Sequence, residues 1–313
     1  MDHDALLALA RTLDDDGYRF VTPTPATHAR VNARPGNRWA RTTEDVFGWS
    51  RPFRAGLLPD TLVATMHAAG VIEAVGAVEG EPAWRSLVRV SSLDGMLFFH
   101  SAYPTLAADS VFFGPDTYRY VAAIASWLDG AATVRRACDI GCGAGAGAML
   151  VARARPEATV YAGDINDGAL ALTRVNAVLA GLGNVVAQHS DLLSGVDGPF
   201  DLVVANPPYL ADPAERAYRH GGGPLGAGLS LRIVEAALLR LSLGGTLLLY
   251  TGAAIVNGFD AFRAAAAERL AGSGVEWIYR EVDPDVFGEE LEQDPYRETD
   301  RIAAVVLTAT RKF

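Results

Sequence analysis

From Val134 onward, short apolar runs alternate with stretches whose apolar positions recur at helical spacing. RRACDI, TVYAGD, NVVAQHSD, FDLVVANP and GTLLLYT read as strands. Between them, GAGAMLVARARP, DGALALTRVNAVLAGL, LSLRIVEAALLRLS and FDAFRAAAAERLA read as helices. VEWIYREV and RIAAVVLTAT close the chain as two more strands with no helix between them, so one is expected to pair antiparallel at the edge. Apolar strands alternating with helices imply a parallel, doubly wound α/β sheet covered on both faces, here Rossmann-like and seven-stranded.

The first hundred or so residues carry a different pattern. Leu6, Leu7, Leu9 and Leu13 predict an amphipathic helix over 4–13, and Leu62, Val63 and Met66 predict a second over 59–69. Thr22 to Ser50 shows little periodicity. SLVRVSSLDGMLFFHSAY predicts two strands joined at Asp94-Gly95, a strong hairpin dipeptide. A further helix is expected to begin near Pro115 and to carry Tyr118 to Trp127. Two units follow: a smaller α+β domain over 1–110, winged-helix-like or simply a packing module, and the sheet domain over 111–313.

Composition narrows the class. The 313 residues include two cysteines, Cys138 and Cys142, too few for a disulfide scaffold or a four-thiolate zinc site, and no metal is expected. No apolar run reaches the ~18 residues of a membrane span, and the acidic amphipathic start is unlike a signal peptide. A cytoplasmic protein without a membrane partner is the expectation. The formal charge of −10 disfavours a nucleic-acid partner while leaving room for a local basic patch.

In an open α/β sheet, ligands bind beyond the carboxyl ends of the strands. Four such ends carry chemistry. Asp139-Ile-Gly141-Cys-Gly143-Ala-Gly145 ends the first strand, where glycines admit a ligand and the next helix offers free N–H groups. Asp164, followed by Ile165, ends the second and can accept both hydroxyls of a ribose. These two signals suit a nicotinamide dinucleotide and a sulfonium nucleoside alike. Asp191, followed by Leu192, ends the third, where an acid can meet an adenine amino group; each of these acids can equally be a helix cap.

The fourth end separates the cofactors. Asn206-Pro207-Pro208-Tyr209 closes FDLVVA. Two prolines stiffen the backbone and withhold N–H donors, leaving carbonyls aimed into the cleft. The Asn206 side-chain oxygen and the Pro207 carbonyl can accept both hydrogens of a planar amino group, with Tyr209 stacked against it. That arrangement directs a nitrogen lone pair at an electrophilic methyl, a task no hydride transfer requires.

With these motifs in this order, the stretch from Val111 to Tyr250 resembles the class I S-adenosylmethionine-dependent methyltransferases that carry NPPY. It is most similar to the bacterial release-factor glutamine methyltransferases. FFGPDTYRY stands at that family's Pro-x-Pro-Asp-Thr-Glu stretch, and HGGGPLGAGLSLRIVEAA at its Gly-Gly-x-Asp-Gly-Leu segment. The resemblance implies S-adenosyl-L-methionine as cofactor, with Gly141, Gly143 and Gly145 near the methionine moiety, Asp164 on the ribose and Asp191 beside adenine. Asp139, Ile165, Leu192 and Asn206 are expected to complete the cofactor site, and Asn206, Pro207 and Tyr209 to position the accepting nitrogen. Tyr118 replaces the family's glutamate, Gly226-Ala227-Gly228-Leu229 lacks its aspartate, and the N-terminal region is unlike its helical bundle.

Several acceptors remain open at this point. A protein glutamine amide leads, and a nucleic-acid base, such as adenine N6 or guanine N2 in rRNA or tRNA, is the alternative. A small-molecule acceptor and a non-catalytic nucleotide-binding module also stand. Six arginines between Arg30 and Arg54, with Trp39 and Trp49 interleaved, suit either an RNA face or ordinary ion pairing. Nine carboxylates between Glu281 and Asp300 are expected to connect the last two strands near the substrate mouth. His189 and His220 are assigned no catalytic role.

Overall fold

The computed structural model describes residues 2–312 apart from 79–80, 131–132, 213–215 and 217. At the N-terminus, α1 (His3–Asp15) is capped by Asp2, whose side chain accepts the Ala5 N–H, and buries Leu6, Leu9, Ala10 and Leu13. This i, i+3, i+4, i+7 spacing is one helix face. The segment with little periodicity contains two short helices, α2 (Pro25–Asn32) and α3 (Thr43–Phe47), started by Thr24 and Thr42 side-chain caps. Helices this short show no full amphipathic repeat, which is why the pattern passed over them.

Next come β1 (Phe53–Arg54), α4 (Asp60–Ala69), β2 (Ile72–Val78), β3 (Glu81–Ser86), β4 (Val88–Leu93) and β5 (Met96–Ser101). The expected hairpin is β4–β5, with Leu93 opposite Met96 across Asp94-Gly95. A three-stranded sheet in the order β1-β3-β2 was not anticipated. Helix α5 (Pro115–Asp129) leads into the large sheet.

That sheet comprises β6 (Arg136–Ile140), β7 (Thr159–Asp164), β8 (Val185–His189), β9 (Phe200–Ala205), β10 (Leu241–Val256), β12 (Val275–Asp283) and β13 (Arg301–Arg311), with a two-residue β11 (Phe259–Asp260) beside β10. Helices α6 (Ala146–Ala154), α7 (Asp167–Leu179), α8 (Gly228–Leu238) and α9 (Ala261–Leu270) connect the strands. The strand order is β12-β13-β10-β9-β6-β7-β8. β6 to β10 run parallel, and β13 is antiparallel to both its neighbours. The antiparallel strand is therefore second from the edge, a correction to its expected edge position. β12 takes the edge because β13 pairs with β10 from Thr246 to Ile255. That pairing also carries β10 past Thr251, the end of the expected strand, with Gly252 opposite Ala304.

One core joins the N-terminal elements to one face of the sheet, running from Leu6 through Phe98 and Tyr120 to Leu248 and Val306. A second core, built on Val203, Ile233, Leu249, Phe262 and Val305, fills the other face. The hairpin is also clamped to the sheet by polar bonds. Asn176 of α7 exchanges hydrogen bonds with the Phe99 backbone at 2.9 and 3.2 Å and donates to the Ala144 carbonyl at 2.9 Å. Among the described residues, no helix is long and apolar enough to cross a membrane.

Candidate active site

The chain runs β6 to β7 to β8 in one direction and then returns to place β9 on the other side of β6. Ile140 and Ala205 are register partners, so the loop from Gly141 and the loop from Asn206 leave the sheet side by side. Such a reversal point opens a crevice at the strand ends. Here it holds a cavity of about 400 Å³ lined by both loops, the ends of β7 and β8, the start of α5 and the Tyr103–Thr105 wall.

The glycine loop is built for a close backbone approach. Gly141, Gly143 and Gly145 have φ of 68°, 54° and 86°, a region that disfavours side chains. Gly145 leads into α6 and leaves no room for a Cβ, which would lie 2.9 Å from Thr173 Cγ2. Thr173 in turn donates to the Gly143 carbonyl at 3.0 Å. Ala146 and Gly147, in the first turn of α6, line the cavity, and first-turn N–H groups have no intrahelical acceptor. A ligand carboxylate is the natural partner for that helix end.

Asp164 projects between two backbone donors. Its Oδ2 accepts from Gly143 N–H and its Oδ1 from Asn166 N–H, each at 2.9 Å. Each oxygen keeps a lone-pair direction for a vicinal diol. Burial holds the Asp164 carboxyl above its ordinary range, opposed by these N–H bonds. Ile165 lines the cavity yet is 58% exposed, leaving an apolar face for a flat ring to cover. Asp191 and Leu192 also line it, with Asp191 3.6 Å from Arg232 of α8 and Leu192 held at φ 53°.

Two residues grouped with the cofactor site stand outside the cavity lining. Asp139 is 1% exposed, with Oδ1 accepting from the Tyr120 hydroxyl at 2.8 Å and Oδ2 from Ala148 N–H at 2.9 Å. Burial pushes its carboxyl up to about 7 against those two bonds. Gly145 is likewise behind the wall, where it brings α6 against α7.

Asn206, Pro207, Pro208 and Tyr209 all line the cavity. The Asn206 side chain is half-buried and has no hydrogen-bond partner among the described residues; nor does the Pro207 carbonyl. Tyr209 is held in place. It is 7% exposed, its hydroxyl donates to Asp116 Oδ2 at 2.5 Å, and its ring lies against Gly252, where a Cβ would come within 2.2 Å of Cδ2. It forms an anchored wall.

Sequence reasoning missed Asp116 and Tyr250. Asp116, in the first turn of α5, lines the cavity and accepts from the Tyr250 hydroxyl at 2.7 Å as well as from Tyr209. The signal available was its place in the Pro-Asp-Thr stretch, which also reads as a helix start. The acidic connection before β13 does reach the mouth. It contributes Phe287 to the wall, pairs Glu290 with Arg219, and places the Tyr296 hydroxyl to accept Ala211 N–H at 2.8 Å. In the arginine-rich segment, Arg51 makes a buried ion pair with Asp45 and Arg54 lies 4.5 Å from the centre of the Trp39 ring. Arg30, Arg34, Arg38 and Arg41 are exposed.

Residues 121–253 match the model of the methyltransferase small domain family. A release factor glutamine methyltransferase of Deinococcus radiodurans is 39% identical over 166 residues, covering 50% of this chain and about half, 55%, of the relative's length. One of Bordetella pertussis is 34% identical over 232 residues, covering 72% of this chain and 82% of that protein. Among solved structures, Trm5b of Pyrococcus abyssi superimposes with a TM-score of 0.51 at 16% identity, over 77% of this chain and 63% of that one, a likeness of fold. By its motifs and the extent of its likeness to the Bordetella protein, the chain belongs to the release factor glutamine methyltransferase family.

Proposed function

We propose that the protein is a cytoplasmic S-adenosylmethionine-dependent N-methyltransferase acting on a glutamine side-chain amide of a protein. The observation that carries this reading is the half-buried Asn206 side chain beside the Pro207 carbonyl, both in residues lining the cavity and neither with a hydrogen-bond partner among the described residues. Two acceptors side by side on a proline-stiffened loop suit a group with two donors. A primary amide has two N–H groups to offer.

The donor set fits the cofactor. Asp164 offers acceptors for a ribose diol, the start of α6 offers donors for a carboxylate, and Ile165 offers an apolar face for adenine. Gly141 and Gly143 let the backbone approach, while Asp191 and Leu192 border the adenine side. Asp139 and Gly145 act from behind by holding α6 in place. When bound, S-adenosylmethionine supplies an electrophilic methyl group on a sulfonium.

The chain's own work is to present the nucleophile. Asn206 Oδ1 and the Pro207 carbonyl accept the two amide hydrogens, which orients the nitrogen and favours a localised lone pair. In-line attack needs that nitrogen ~3–3.5 Å from the methyl carbon. The two carbonyl dipoles then stabilise the positive charge that develops on nitrogen. As the nitrogen–methyl bond forms, the methyl–sulfur bond would break and leave its electron pair on sulfur as a neutral thioether, and the nitrogen would release one proton to solvent at the mouth. We assign acceptor recognition to residues 1–110, whose Tyr103–Thr105 stretch walls the cavity, and cofactor binding to 111–313.

The exposed Arg30, Arg34, Arg38 and Arg41 favour a second reading, a nucleobase amine, which presents the same two hydrogens. The net charge of −10 counts against it. Methyl-labelled S-adenosylmethionine, incubated with the enzyme and either a purified release factor or total RNA, separates the two. Label on a glutamine amide is the expected result. Label on RNA alone, or transfer to neither, overturns the primary reading.

A further inference from the structure

The proline-stiffened loop is gripped at its far end by a single carboxylate. Asp116 is 4% exposed, and each of its oxygens accepts a tyrosine hydroxyl, Oδ2 from Tyr209 at 2.5 Å and Oδ1 from Tyr250 at 2.7 Å. Arg119, one turn along α5, lies 3.4 Å from Asp116 Oδ1 and 2.7 Å from Asp283 at the end of β12. One side chain therefore joins α5, the loop after β9 and β10, and through Arg119 it also joins β12.

We propose that Asp116 is a positioning residue for methyl transfer: by fixing Tyr209 it fixes, through Pro207 and Pro208, the Asn206 side chain that receives the acceptor amide. This rests on the N-methyltransferase reading of the cleft. Between Asn206 and Tyr209 the chain has only two prolines, whose φ angles cannot relax. A shift of Tyr209 is therefore passed to Asn206. The ring cannot move toward β10, because Gly252 already touches its carbons. Its hydroxyl tether to Asp116 and its edge contact with Phe287, ring centres 6.0 Å apart, hold it on the cavity side.

The chemistry of the tether requires a carboxylate. Two hydroxyl donors arrive on two oxygens, and an amide has one acceptor and one donor end. Asp116→Asn keeps the shape and forces one tyrosine to reverse its hydroxyl or lose its partner. Tyr209→Phe removes the same tether from the other side. If Asp116 acts through Tyr209, the two changes report one interaction and their effects do not multiply.

Wild type, D116N, Y209F, Y250F and D116N/Y209F are compared by three measurements. These are methyl transfer to purified release factor at saturating cofactor, calorimetric titration with S-adenosylmethionine, and proton NMR of slowly exchanging tyrosine hydroxyls. The expected result is a kcat loss of about 10–100-fold in D116N and in Y209F, the scale of a ~1 Å misplacement. The double variant is then no slower than the slower single, and cofactor affinity is unchanged. One of the two hydroxyl signals assigned by their loss in Y209F and Y250F also disappears in D116N. Multiplying losses, weakened cofactor binding, or survival of both hydroxyl signals overturn the proposal. Should D116N fail to fold, Y209F and Y250F decide it with Asp116 intact: a kcat loss in Y209F supports the tether, and none overturns it. Absence of transfer by the wild type sinks the N-methyltransferase reading, while the NMR arm still tests the Asp116–Tyr209 link.

Discussion

Asp164, at the end of β7, accepts the backbone N–H of Gly143 at 2.9 Å, so the acid at one strand end holds the glycine loop of its neighbour in place. One side chain thus shapes the cofactor pocket and offers lone pairs to what enters it. Asp164→Ala removes both functions. The expected outcome is S-adenosylmethionine affinity lower by at least about 100-fold, the scale of losing two charge-assisted hydrogen bonds. Hydrogen exchange at Gly143 is expected to quicken in the unliganded variant. Wild-type exchange with weakened binding would confine Asp164 to ligand contact.

Asp139 gives a pH prediction. Its carboxyl, ordinarily near 3.8, is pushed by burial up to about 7 in the fold. Over that range the native state keeps a proton the unfolded chain has lost, so stability falls as pH rises. The contribution is fully present below about pH 3.8 and lost as pH passes through about 7. Asp139→Asn, whose oxygen can accept the Ala148 N–H while its NH2 donates to a Tyr120 hydroxyl that turns to accept, should flatten that dependence. Thermal melting at pH 8 should then rise above wild type by a few degrees, on a scale of about 2–4 °C per kcal/mol. Cofactor affinity should match wild type, because Asp139 stands outside the cavity lining. A lost affinity would return Asp139 to the binding site.

Gly252 supports the acceptor site from β10. A methyl group there would meet Tyr209 Cδ2 and Cε2 at 2.2 and 2.3 Å, so Gly252→Ala must displace the ring. The expected outcome is transfer slowed by about 10–100-fold with cofactor binding kept. A thermal scan accompanies the assay, because overpacking costs about 1–3 kcal/mol of stability.

How legible this was in the chain depended on how local each signal is. The strand ends were readable because glycines, prolines and single acids punctuate apolar runs, and the register pairing Ile140 with Ala205 brings two of those ends together. Asp116 was not readable as a site residue, since an acid after a proline is an ordinary helix start and its partners lie 93 and 134 residues away. Tyr209 could be located from its motif, but its anchoring against Gly252 depends on β10 continuing past Thr251. Asp139 was grouped with the cofactor residues because it precedes the glycines. Strand alternation turns its side chain toward Tyr120 and α6.

A single-turnover comparison of wild type with Asn206→Ala tests whether the Asn206 amide, which has no hydrogen-bond partner among the described residues, receives the acceptor nitrogen. Enzyme preloaded with methyl-labelled S-adenosylmethionine is mixed with purified release factor, and the labelled glutamine is quantified by mass spectrometry. Removing one preorganised polar contact to the developing charge is expected to slow transfer by about 10²–10³-fold with cofactor affinity unchanged. Transfer by Asn206→Ala at the wild-type rate would mean that Asn206 does not hold the acceptor nitrogen.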